Sequence, residues 1–214
     1  MRPEVAERVF RDEDGAVVDY GRRWGGGSPP EHTYSLVSHP EHFAPLWTVA
    51  DALVGHLIEH FAVEVVDDVD VAADLVHPVR DVVRAVRLTP PSVTAASMTF
   101  ALTAHPSVVV HAGLLHDFPF PGCACDACDA TWQNEADDLE RLAAAVAQGR
   151  YGERVTRWPR PWVHFAYSDE HGEVTGGGVT AANIPAARRR EARPVLTRLG
   201  GRLGGPWDPW PVRG

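Results

Sequence analysis

Ser97-Met98-Thr99-Phe100-Ala101-Leu102-Thr103-Ala104-His105-Pro106-Ser107-Val108-Val109-Val110-His111-Ala112 decides the fold class. Met98, Phe100 and Leu102 alternate with Ser97, Thr99, Ala101 and Thr103, the period-two pattern of a strand with two different faces. A short Ala-His-Pro-Ser turn then leads into Val108–Ala112. Upstream, Val82–Thr89 is rich in β-branched residues and ends at Pro90-Pro91. Three such pieces only a few residues apart predict an antiparallel meander.

Helical spacing appears on either side of these strands. Leu46, Val49, Ala50, Leu53, Leu57 and Phe61 recur at i+3/i+4 and predict an amphipathic helix over 45–61. Ser38-His39-Pro40-Glu41 has the S-x-x-E form of a capping box, and Pro45 breaks or restarts that helix. Ala62–Val66 is a short strand candidate, followed by an acidic turn at Asp67-Asp68-Val69-Asp70. Trp132, Ala136, Leu139, Leu142, Ala143 and Val146 mark a second amphipathic helix, with Asp129 or Thr131 as N-cap and Gly149 past its end. Trp162–Tyr167 and Val174–Val179 read as a hairpin, with Gly176-Gly177-Gly178 as a strand end or bulge. Asn183-Ile184-Pro185 opens an arginine-rich helix that Pro194 interrupts. The expected fold is α+β: a largely antiparallel sheet with helices packed on one face and a cysteine-rich metal-binding loop. Residues 1–30 are expected to be an N-terminal element and flexible loop, 31–200 a single domain, and 201–214 a Pro/Trp-rich tail.

Charge narrows the function classes. The chain of 214 residues carries a formal charge of −9, and all 20 of its basic residues are arginine. Residues 186–214 hold seven arginines against Glu191 and Asp208, +5, which leaves −14 for residues 1–185. An acidic body argues against nucleic acid as a partner, because phosphate recognition needs a basic surface. It is compatible instead with a basic protein partner. The N-terminus lacks the apolar run of a secretory signal, and no window reaches the roughly 20 apolar residues of a membrane span. An odd number of cysteines fits a reducing compartment, so the expected location is cytoplasmic.

All three cysteines fall within six residues: Cys123-Ala124-Cys125-Asp126-Ala127-Cys128. Three thiolates on one short loop can wrap a soft divalent ion, and zinc is the leading expectation. A strained disulfide with one leftover thiol is the rival, and three unconnected thiols the third reading. Structural zinc takes four ligands, so a fourth must be added. His116 is the first choice, being close in sequence; Asp126, Asp129, His111 or water are the others. Cys128 is expected just before or within the first turn of the second helix, where free amides favour a thiolate. His56-Leu57-Ile58-Glu59-His60 fits H-x-x-E-H, but both histidines border an apolar helical stripe and no third-ligand motif accompanies them. The absence of lysine excludes a P-loop at Gly176-Gly177-Gly178. Arg188-Arg189-Arg190 reads as a solvated helix face, or more sharply as a clamp onto an acidic partner or onto the acidic body itself.

The run His111-x-Gly113-x-x-His116, then Phe118-x-Phe120-Pro121, then Cys-x-Cys-Asp-x-Cys-Asp resembles a family of uncharacterised actinobacterial proteins of about this length. Tyr34–Glu41 and Val86–Pro90 resemble it too. The resemblance implies no activity and carries no catalytic residue across. It implies glycine between the first two cysteines, where this chain has Ala124. The function expected is a non-enzymatic binding or interaction module with a structural zinc site. The alternatives are a metal-dependent hydrolase and a thiol redox protein using the cysteine loop.

Overall fold

A computed structural model describes residues 2–6, 8–156, 161–200 and 204–214. Its first sheet is a five-stranded antiparallel meander of Glu64–Asp67 (β1), Val82–Thr89 (β2), Met98–Thr103 (β3), Ser107–Ala112 (β4) and His116–Phe120 (β5), in sequential order. The register sets Phe100 opposite Val86 on one side and Val110 on the other. Met98, Phe100 and Leu102 join Val86, Leu88, Val108 and Val110 in the main core, as the alternation predicts. The opposite face is not solvated. Ala85, Ala101 and Val109 lie under Val71 and Leu75, carried by the 3-10 turn Val69–Asp74 and the residue after it. β3 is therefore buried on both faces along its whole length.

Two helices cover the main core face, Pro45–His60 (α1) and Trp132–Ala147 (α2). Leu46, Val49, Ala50 and Leu57 from α1 meet Leu139, Leu142, Ala143 and Val146 from α2 over the sheet. The Thr131 hydroxyl accepts the Asn134 amide at 3.2 Å and caps α2, and Gly149, at φ +72°, follows its end. Burying a stripe of this kind is what holds a helix of 16 residues that would be marginal alone.

One expected sheet proves to be two. Tyr151–Thr156 (β6), Trp162–Ser168 (β7), Val174–Thr180 (β8) and Gly204–Pro206 (β9) form a second antiparallel sheet in the order β8-β7-β6-β9. It packs with Ala186–Gly200 (α3) around Leu115, Val163, Ile184, Ala192 and Leu196. Pro206 sits on an edge strand, where its missing N–H leaves no ladder bond unmade. Gly176-Gly177-Gly178 lies inside β8 rather than at a strand end or bulge, paired regularly with Ala166, Phe165 and His164. A Cβ at Gly178 would stand 2.7 Å from the Val163 carbonyl, so close backbone approach is the reason for glycine there. Pro194 lies within α3 without ending it. The Arg188 guanidinium donates to the carbonyls of Ala73, Asp74 and Leu75, and Arg189 to that of Ile184, so part of the arginine run clamps the protein's own backbone. Residues 157–160, between β6 and β7, lie outside the described residues, as do 201–203 in the tail.

Glu153 of β6 ties the sheets together. Its side chain is completely buried and accepts from Leu114 N at 2.9 Å, Leu115 N at 2.8 Å, His116 Nδ1 at 3.0 Å and Trp207 Nε1 at 3.2 Å. Gly113, at φ +70°, opens the turn that presents two of those amides, and a Cβ there would fall 2.2 Å from Glu153 Oε2. The C-terminal segment laces the rest. Trp207 N donates to Tyr151 O, Trp210 N to Ala147 O and Trp210 Nε1 to Ala96 O, while Ala62 N donates to Pro211 O. Among the described residues no helix is long and apolar enough to cross a membrane.

Candidate metal centre

The cysteine loop leaves β5 through the cis Phe120–Pro121 peptide and ends at α2. Within it Asp126–Cys128 is a single 3-10 turn closed by Asp129 in the left-handed region at φ +49°. Cys128 thus belongs to its own turn and not to the first turn of α2, which starts at Trp132. Ala124 is not among the positive-φ residues, so alanine meets no backbone strain there.

The three sulfurs converge. Cys123 Sγ and Cys125 Sγ are 3.3 Å apart, Cys125 Sγ and Cys128 Sγ 3.4 Å, and all three lie within 4.8 Å of one another. All three cysteines are free, Cys123 and Cys128 being exposed and Cys125 half-buried. A disulfide would hold two sulfurs about 2.05 Å apart. Thiolates about 2.3 Å from a tetrahedral ion lie roughly 3.8 Å apart, so small movements complete such a site. Hydrogen bonding with Cys123 holds the Cys125 thiol below its ordinary pKa, and contacts with Cys123 and Cys125 push Cys128 up to about 12.

What positions the loop was not foreseen from the cysteine spacing. Asp126, 5% exposed, accepts from Ser38 N at 3.0 Å and Ser38 Oγ at 2.5 Å, and Arg23 Nη1 lies 3.6 Å away. Its own amide donates to Leu36 O at 2.8 Å. Burial alone would raise the Asp126 pKa, but Ser38 and Arg23 outweigh it and hold the carboxyl below the usual aspartate range. Asp129 Oδ2 accepts Arg23 N at 2.9 Å, and Glu135 of α2 accepts Gly122 N at 3.0 Å. Ser38 is thus not the cap of a helix: the turn Pro40–Phe43 has no side-chain cap, and the serine is spent on the cysteine loop. Residues of the Gly/Pro-rich N-terminal segment accordingly make direct contact with that loop.

The expected fourth ligand, His116, is not one of the converging side chains. Its Nδ1 is tied to Glu153, its ring stands edge-on to Phe165 at 5.0 Å, and it is 5% exposed. His111 is committed to Asp117 at 2.8 Å. No His, Asp or Glu of the described residues joins the three cysteines. The His56 and His60 rings lie tilted against each other on α1 with centroids 4.0 Å apart, and His60 Nδ1 is hydrogen-bonded to His56 O at 2.8 Å. No third ligating side chain joins that pair among the described residues. A cavity of about 470 Å³ opens beside Phe10, Tyr20, His42 and Trp132, and no cysteine lines it.

Two antiparallel sheets with helices, bearing a surface cluster of three thiols able to hold a metal ion, define the class of protein. The chain belongs to the DUF6226 family, a family of unknown function, whose model matches residues 6–214. Comparison with curated proteins and with solved structures returned no match.

Proposed function

We propose that the protein is a metal-binding interaction module in which Cys123, Cys125 and Cys128 hold one zinc ion. The observation that carries this reading is the convergence of every sulfur donor of the cysteines within 4.8 Å on a loop pinned at both ends. The ion joins β5 to α2 through side chains that otherwise only repel once ionised, and its binding energy is also folding energy. The acidic body, −14 over residues 1–185, fits a basic protein partner, and the reading assigns no catalytic residue. Thiol redox chemistry is the second reading, favoured by the 3.4 Å between Cys125 and Cys128 sulfurs. Elemental analysis of protein purified without an affinity tag decides between them. About one zinc per chain is expected, with each of Cys123→Ser, Cys125→Ser and Cys128→Ser lowering both occupancy and melting temperature. Metal-free native protein whose melting ignores chelator would overturn the proposal and promote the redox reading.

A further inference from the structure

Zinc in a structural site is enclosed by four protein ligands. The cysteine loop supplies three, and no His, Asp or Glu of the described residues converges on them, although His116 Nε2 and Asp129 Oδ1 are each buried without a hydrogen-bond partner. His116 is bound to Glu153 on the buried side of β5, and His111 to Asp117. Asp126 turns its carboxylate inward onto Ser38 and Arg23, the contacts that hold the loop in place. Asp129 is turned toward the Arg23 amide and does not come within reach of all three sulfurs. The thiols themselves lie outward, two of the three cysteines being exposed.

We infer that the fourth coordination position of the metal faces solvent and takes an exchangeable monodentate donor, water in the free protein and an imidazole or small anion when one is offered. This rests on the metal reading above. It changes what that metal does, since a three-thiolate ion with one exchangeable position can bind a histidine side chain of a partner directly. A closed four-ligand site cannot. The rigid part of the site is the protein's own: the 3-10 turn Asp126–Cys128 sets the spacing of two sulfurs, and Ser38, Leu36 and Arg23 fix that turn. The variable part is the donor that arrives.

The test uses the reduced full chain loaded with Co(II) in place of zinc, titrated with imidazole and separately with azide. Thiolate-to-cobalt charge transfer with tetrahedral d–d bands is expected on loading. Each probe should then shift the d–d bands saturably, with one donor bound per cobalt. Charge transfer present but d–d bands indifferent to both probes would overturn the exchangeable position and leave the metal reading intact. Absence of thiolate charge transfer would overturn the metal reading, and this inference with it.

Discussion

Replacing Glu153 with glutamine tests whether the junction of the two sheets rests on one buried carboxylate. Oε1 accepts from Leu115 N and His116 Nδ1, and Oε2 from Leu114 N and Trp207 Nε1. Glutamine preserves shape and volume but replaces one of these oxygens with an amino group. With the amino group at the Oε2 position, Leu114 N and Trp207 Nε1 lose their acceptor. At the Oε1 position Leu115 N loses its own, and the His116 proton must move to Nε2, which is buried without a partner. The side chain is completely buried, so water cannot substitute. Hydrogen bonds to a charged group are each worth about 1.5–3 kcal/mol, which puts the loss at about 3–6 kcal/mol. For a chain of this length each kcal/mol lowers the melting temperature by about 2–4 °C, so Glu153→Gln should melt roughly 6–24 °C below the parent. Urea unfolding of both proteins measures the difference directly, with Glu170→Gln as the control. Glu170 is exposed, and its variant should stay within about 0.5 kcal/mol of the parent. A Glu153→Gln protein within about 1 kcal/mol of the parent would refute the reasoning, because four donors cannot lose a carboxylate so cheaply.

Three further outcomes follow from the same contacts. Asp126→Asn keeps the size of the side chain but loses the charge that Ser38 and Arg23 complement. It should weaken metal binding about 10-fold, read by competition with a chromophoric chelator, in line with other residues that orient metal ligands. Thr131→Ala removes the side-chain acceptor of the Asn134 amide and should cost about 1 kcal/mol in urea unfolding. Burial would raise the Asp117 pKa, but His111 and the amides of Val76 and His77 lower it further, and Asp126 is lowered too. Both therefore add stability that is complete above the ordinary aspartate value of about 3.9 and is lost as pH falls through their lower folded values. Urea midpoints should decline below about pH 4, and Asp117→Asn should lower stability at neutral pH while flattening that decline.

The meander could be read from sequence because its strands are consecutive and alternate cleanly, so local pattern and tertiary pairing agree. α1 and α2 were legible for the same reason: each carries one continuous apolar stripe. β5 was hidden by Pro119 and by two polar residues, His116 and Asp117, whose partners lie on other elements. β6 was hidden because its Tyr151-Gly152-Glu153-Arg154 start places a charged residue at a buried position, which only the donors from residues 114–116 and 207 make tolerable. The division into two sheets was illegible because it depends on which strands find each other, and β9 reaches β6 from 50 residues downstream. At the metal centre, convergence of the thiols was legible because it is local. The engagement of His116 by Glu153 and of Ser38 by Asp126 was not, since the partners stand 37 and 88 residues apart.

The tail that laces the molecule has a consequence for how the protein is made. Trp210 bonds to Ala96 across 114 residues, and its ring closes the same core that β3 and α1 begin. At about 5–20 residues per second, roughly 6–23 s of translation separate the emergence of one partner from that of the other. During that interval the nascent meander exists with an unsealed apolar edge, and no local rearrangement can supply the missing indole. Shielding that edge while the ribosome finishes falls to whatever binds the emerging chain, and a stalled or shortened product keeps it exposed for good.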